Sequence, residues 1–240
     1  MRLCRFFQSG DLTVNTALRL DKEVSSHIHR VLRLKIDEEI QLFNGDGLNY
    51  QAKIVTLGST VMVDILEATA TNVESPLKIH LGQAISKGER MDYTLQKSVE
   101  LGVNCITPII SERVQFRLDE KRLQRKIEHW QKVIASAAEQ SGRTKLPNLN
   151  TPITLQKWLT MDNTQGLLFI PNTEKRLKDL HHLSTVRLLI GPEGGFSEDE
   201  INLVLSTSAF TAINLGPRIL RTETAALTAI SILQSQCGDI

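Results

Sequence analysis

Three short apolar runs constrain the fold more than any other feature of this sequence: GLLFIP (166–171), VRLLIG (186–191) and FTAINLG (210–216). Each is too short for a buried helix and each ends in a turn-forming residue, so each reads as a buried strand. Between the last two, SEDEINLVLST (197–207) reads as a helix, with Ser197 as N-cap and Glu200 closing a capping box. The same alternation runs upstream. LKIHLGQAI (77–85) is a strand, RMDYTLQKSVELG (90–102) a helix ended by Gly102, and CITPII (105–110) a strand. Residues 118–141 form a long amphipathic helix in which Leu123, Ile127, Trp130, Ile134 and Ala138 recur at steps of three and four. Strands alternating with helices at this spacing predict an α/β fold with a mostly parallel sheet covered on both faces.

The first third has a different period. EIQLFNGDGLNYQAKIV (39–55) sets an Asn-Gly-Asp-Gly turn between alternating runs, and TLGSTVMVDILEA (56–68) repeats the arrangement around Gly58, which predicts consecutive hairpins. ATATNVESP (68–76) lacks periodicity and ends in proline. The boundary falls there: a β domain over 1–70, a linker over 71–76 and the α/β domain over 77–240.

Composition excludes several classes. Three scattered cysteines without a CxxC pair indicate neither a disulfide framework nor a zinc site, and they fit a reducing cytoplasm. No apolar run approaches the ~20 residues needed to span a bilayer, and the start lacks a signal-peptide pattern, so the expected protein is cytoplasmic and makes no membrane contact. A net charge of +1 neither demands nor excludes a polyanionic partner. The histidines show no ligand spacing, so no metal is expected. There is no Gly-x-Ser-x-Gly elbow, no P-loop and no GxGxxG, which removes hydrolase and dinucleotide readings.

In open α/β sheets ligands gather beyond the carboxyl ends of the strands. Three loops stand there: IPN (170–172), IGPEGGF (190–196) and LGPRIL (215–220). Gly191, Gly194 and Gly195 allow a ligand close to backbone amides, and the helix beginning near Ser197 turns its positive end toward them. The local alternative is a ligand-free turn at each position. Two further segments carry charge. SERVQFR (111–117) offers Arg113 and Arg117 as surface charges or phosphate contacts, and AAEQSGR (137–143) ends the long helix with Glu139, a Gly142 cap and Arg143.

Four pieces together resemble one family: LQKSVELGVNCITPIISERV (95–114), AAEQSGR followed by Pro147, LLIGPEGGFSEDEI (188–201) and LGPRILRTETAAL (215–227). In order and spacing they are similar to the bacterial 16S ribosomal RNA uridine N-3 methyltransferases of the SPOUT class. RFF near the start and RVLRLKIDEEIQLFNGDG (30–47) resemble that family's small β-barrel, PUA-like domain. The resemblance implies an α/β sheet with a C-terminal trefoil knot, a homodimer, S-adenosylmethionine as cofactor and one uridine of small-subunit ribosomal RNA as substrate, with no DNA partner. It implies a cofactor site of Ile170, Gly191, Glu193, Gly194, Leu215, Gly216, Ile219 and Leu220.

The chemistry so implied requires removal of a weakly acidic imino proton. A carboxylate serves as general base, with Glu223 and Glu139 as candidates, and Arg221 orients the uracil and stabilises its anion. The local alternative is that Arg221 and Glu223 pair at the helix start. RNA contacts are expected from Arg2, Arg5, Arg30, Arg33, Arg113, Arg117 and Arg143, with Phe6 or Phe7 either stacking on a base or packing in the core. Two other functions stay open: a related SPOUT enzyme acting on another RNA site, and a non-enzymatic ribosome-assembly factor that binds RNA.

Overall fold

The structure is a computed structural model; it describes residues 3–114, 119–180 and 183–240. The chain divides into two compact units, one of residues 1–74 with 135–146 and the other of residues 75–134 with 147–240.

The first unit is built on a five-stranded sheet. Its strands are β1 (Cys4–Phe7), β2 (Ala17–Arg19), β3 (Glu39–Phe43), β4 (Leu48–Thr56) and β5 (Met62–Ala70), in the order β1-β3-β4-β5-β2. β3, β4 and β5 are the consecutive antiparallel hairpins that the turn residues require, while β1 pairs parallel to β3. Alternation places Ile40, Leu42, Ala52, Ile54, Val63 and Ile65 on the buried face, and Phe6, 2% exposed, packs with them. Phe6 is therefore a core residue. Phe7 is half-buried, its ring edge-on to Phe43 at 5.6 Å. Between β2 and β3 lies α1 (Lys22–Ser26), continued by a π-helical turn over His27–Leu32.

The second unit holds a seven-stranded sheet. Its strands are β6 (Lys78–Ala84), β7 (Cys105–Ile110), β8 (Asn148–Leu149), β9 (Ile153–Thr154), β10 (Gly166–Phe169), β11 (Thr185–Ile190) and β12 (Phe210–Ile213). The order is β12-β10-β11-β6-β7-β8, with β9 also on β7, and every pairing is parallel. Helices α2 (Glu89–Glu100), α4 (Leu155–Leu159), α5 (Glu198–Ser206) and α6 (Thr222–Cys237) belong to this unit. The long helix α3 (Glu120–Ser141) begins in it, and its residues from Ala135 cluster with the first unit. Of the predicted stripe of α3, Ile127, Trp130, Ile134 and Ala138 are buried and Leu123 is half-buried. So is the capping box of α5, where Ser197 Oγ accepts from Glu200 N at 3.2 Å and Glu200 Oε2 accepts from Ser197 N at 3.0 Å. Among the described residues, no helix is long and apolar enough to cross a membrane.

One end of this sheet carries a polar chain inside an apolar setting. Arg187 on β11 is 1% exposed, stacks 4.0 Å from the Trp158 ring centre, and donates to the Trp158 and Asp162 carbonyls. The same indole needs Gly82, where a Cβ would stand 2.5 Å from a ring carbon. Trp158 Nε1 and Thr107 Oγ1 both approach His80 Nε2, at 3.4 and 2.7 Å, while Asn150 Nδ2 donates to Thr107 Oγ1 at 2.8 Å. This arrangement asks His80 Nε2 to accept, so the ring is neutral with its proton on Nδ1. Burial, reinforced by the Arg187 guanidinium, lowers the His80 pKa to about 4.

That shift has a measurable consequence. The folded pKa lies below the unfolded value of 6.5, so between the two the unfolded chain holds a proton that the folded chain lacks. Stability from this group is complete above pH 6.5 and is lost as pH falls toward 4. Linkage gives a loss of about 2 kcal/mol between pH 7.5 and 5. Urea unfolding at the two pH values should show that difference in the native protein, and His80→Gln should shrink it.

Candidate active site

The three loops singled out in the sequence end three adjacent strands, because β10 lies between β12 and β11. Beyond them opens a cavity of about 670 Å³, within the usual range for a small-molecule site. Ile170 and Pro171 of the first loop, Gly191 to Phe196 of the second and Ile219 to Thr222 of the third line it. An adjoining cavity of about 90 Å³ shares Ile170, Ile219 and Leu220 and adds Leu215 and Gly216. The eight residues expected to hold a cofactor thus stand around these two adjoining spaces. Ile219 is 90% exposed, an apolar surface that a bound ring would cover.

Sequence gives each loop its path. Gly216 has φ +127°, a region that disfavours any side chain, and its amide donates to Asn214 Oδ1 at 2.8 Å. Gly195 has φ +68° and closes a turn on the Pro192 carbonyl at 2.9 Å. A Cβ at Gly191 would meet the Phe196 ring at 3.2 Å, so glycine lets that ring pack under the loop.

Two residues fasten the second loop to the third and escaped the sequence reading as site residues. Thr222 Oγ1 donates to the Gly191 carbonyl at 2.6 Å and accepts from Gln83 Nε2 at 2.9 Å. Gln83 is fully buried at the end of β6. The only signal for it was a polar residue closing an apolar strand.

Glu193 is held from outside the loop. Lys87 N donates to Glu193 Oε1 at 3.1 Å and Arg90 Nη1 at 2.9 Å. Burial alone would raise its pKa, but these donors and its own backbone amide outweigh burial and keep the carboxylate below its ordinary value. Arg113, expected as an RNA contact, also serves this loop: it lines the cavity and its Nη1 donates to the Gly194 carbonyl at 2.7 Å.

The three catalytic candidates separate. Arg221, exposed at the N-cap of α6, stands in the cavity wall. Glu223, in the first turn of the same helix, is not among the lining residues, and its buried Oε2 has no hydrogen-bond partner among the described residues. The local pairing of Arg221 with Glu223 is absent from the ion pairs of the described residues. Glu139 belongs to the first unit, where its Oε1 accepts from Phe7 N at 2.8 Å. Burial raises its pKa, against the opposing pull of that amide.

Two of the arginines expected on RNA make contacts within the first unit. Arg143 is 4% exposed and grips Glu74 with two bonds, Nε to Oε1 at 2.9 Å and Nη2 to Oε2 at 2.6 Å. A guanidinium so enclosed has no surface to offer a phosphate. Arg5 lies 3.9 Å from the Phe43 ring centre and donates to Asn49 Oδ1, the Ala138 carbonyl and the Arg143 carbonyl at 3.0, 2.8 and 2.7 Å. Its donors tie strand to helix end within the first unit. Arg30 and Arg33 are exposed on and just after the π-helical turn. Arg2 and Arg117 lie outside the described residues. Among the described residues, no group of three or more His, Cys, Asp or Glu side chains is placed to hold a metal ion.

An all-parallel sheet with a cavity across its carboxyl edge, in a chain that also holds a small β unit, defines a class that comparison with known proteins makes specific. Residues 73–234 match the RNA methyltransferase domain family, and residues 20–60 match the RNA methyltransferase PUA domain. The ribosomal RNA small subunit methyltransferase E of Buchnera aphidicola from Schizaphis graminum is 39% identical over all of this chain and 98% of its own length. The chain belongs to this family of ribosomal RNA small subunit methyltransferases. A Neisseria gonorrhoeae member, solved bound to S-adenosyl methionine, is 38% identical with a TM-score of 0.92 and full coverage of both chains. A Legionella pneumophila chain, solved in complex with bound cofactor SAM, is 43% identical with a TM-score of 0.96 and the same coverage. The α/β fold with a separate N-terminal β unit is the one the sequence resemblance implies.

Proposed function

We propose that this protein methylates ring N-3 of one uridine in 16S ribosomal RNA, using S-adenosylmethionine. The observation that carries the reading is the cavity across the three adjacent strand ends, whose walls contain the residues implied by the resemblance. These residues fit the cofactor. Ile170, Ile219 and Leu220 present an apolar wall suited to an adenine face, and the backbone of Gly191–Gly195 presents polar groups with no Cβ at three of its positions. When bound there, S-adenosylmethionine supplies an already activated methyl group.

Arg221 is the charged residue of the catalytic set that stands in the wall, so its role is to orient the uracil and carry the negative charge that spreads onto its oxygens as the imino proton leaves. Positioning supplies much of the remaining rate. The general base belongs to Glu223 or Glu139. Burial raises the pKa of Glu139, the direction that favours a general base, while the unpartnered Oε2 of Glu223 leaves an acceptor at the start of α6. A homodimer, in which a second copy completes the site, and a trefoil-knotted C-terminal segment fit this reading, as does work in the cytoplasm. The exposed Arg30 and Arg33 suit phosphate contacts on a structured ribosomal RNA surface.

Calorimetry separates this from a non-enzymatic assembly factor. S-adenosylmethionine is expected to bind with a dissociation constant in the micromolar range typical of enzyme ligands. Absence of binding favours the factor.

A further inference from the structure

Beside the proposed cofactor cavity, and sharing Arg113 and Glu193 with it, lies a separate space of about 160 Å³. Its walls carry three cations, Lys87, Arg113 and Lys126, against one carboxylate, that of Glu193. Arg90 also pairs with that carboxylate at 2.9 Å, so cationic side chains outnumber the carboxylate around the space. It also adjoins the start of α2. Gly88, the N-cap, has φ +59° and brings no side chain to cap the helix, so the first amides of a 12-residue helix lack a side-chain acceptor from that residue. Ser86 supplies the independent sign of a ligand. It is 1% exposed, it lines this space, and its Oγ has no hydrogen-bond partner among the described residues. A buried hydroxyl without a partner is costly, and an accepting ligand relieves that cost.

We propose that this space is a subsite for a single phosphate group. Cationic side chains, a helix N-terminus and a buried hydroxyl donor are the chemistry that recognises a phosphate, and about 160 Å³ suits one group of that size rather than a nucleoside. On the proposed methyltransferase reading, the phosphate belongs to the RNA backbone next to the target nucleotide. Its anchoring here, one wall away from the cofactor, holds the strand while the base enters the cavity. Because Arg113 also holds Gly194, a phosphate at Arg113 couples RNA binding to the shape of the cofactor loop.

The test uses the full chain and the double variant Lys87→Gln/Lys126→Gln, which spares Arg113 and Glu193. Three quantities are measured: affinity for a small-subunit ribosomal RNA fragment across a salt series, calorimetric binding of inorganic phosphate in chloride buffer, and S-adenosylmethionine affinity. The expected result is about tenfold weaker RNA binding and a log–log salt slope reduced by one to two, with cofactor affinity within twofold of native. Loss of inorganic phosphate binding with unchanged RNA affinity and slope would keep the phosphate site but overturn its RNA source. No change in either overturns the subsite. The methyltransferase reading fails separately, if native protein does not bind S-adenosylmethionine.

Discussion

Arg221→Ala is expected to lower kcat by about 10²- to 10³-fold at saturating cofactor and RNA, the cost of removing one preorganised charge stabiliser. The argument rests on placement. Of the three charged groups the sequence offers for proton removal and anion stabilisation, Arg221 stands in the cavity wall, exposed and at the mouth of α6. It is not engaged with Glu223 among the ion pairs of the described residues, so its charge is available to substrate. Cofactor affinity should change far less than turnover, since the wall proposed for the adenine consists of Ile170, Ile219 and Leu220. Arg221→Lys should recover only part of the loss, because an ammonium keeps the charge but not the planar fork that matches a carbonyl oxygen and its neighbour. Single-turnover methyl transfer from labelled S-adenosylmethionine gives the readout. Unchanged turnover in Arg221→Ala would remove this residue from the chemistry.

Arg143→Ala is expected to destabilise the fold by about 3–5 kcal/mol, because it strands the buried carboxylate of Glu74. The ion pair is 2.6 Å long between side chains 4% and 9% exposed, and Arg143 also offers its carbonyl to Arg5. Glu74→Gln/Arg143→Met, which removes both charges, should be much milder than either single truncation. Denaturant unfolding separates this from a phosphate-contact role: loss of RNA affinity with unaltered stability would restore the RNA reading of Arg143.

These two residues mark where the sequence was legible. Arg221 sits in a run whose turn, aliphatic pair and helix start are all local, and local pattern placed it at a strand end. The capping box at Ser197, the stripe of α3 and the hairpins around the Asn-Gly-Asp-Gly turn are likewise set by neighbours a few residues away. Arg143 follows a glycine at the end of an amphipathic helix, and it was expected as an RNA contact. Its partner is 69 residues distant, and nothing in periodicity identifies such a partner. Glu139, near the end of the same helix, likewise accepts from a distant residue, Phe7, 132 residues away. Gln83 and Thr222 illustrate the converse. Their contacts join segments far apart in the chain, Gln83 Nε2 donating to Thr222 Oγ1 and Thr222 Oγ1 donating to the Gly191 carbonyl.

The cavity at the strand ends was legible because three glycine or proline turns recur at strand spacing. Parallel order then brings the ends of β12, β10 and β11 side by side. What stays beyond local reading is the identity of the general base, since neither Glu139 nor Glu223 lines the cavity. Glu223→Gln and Glu139→Gln, compared in the same single-turnover assay, divide that role.

The most direct test of the central claim is mass-spectrometric mapping of modified nucleosides in 16S ribosomal RNA from a strain lacking this gene. The account predicts that one 3-methyluridine disappears and returns when the native gene, but not the Arg221→Ala variant, is supplied. Persistence of every methylated uridine of the small-subunit RNA in the deletion strain would contradict it.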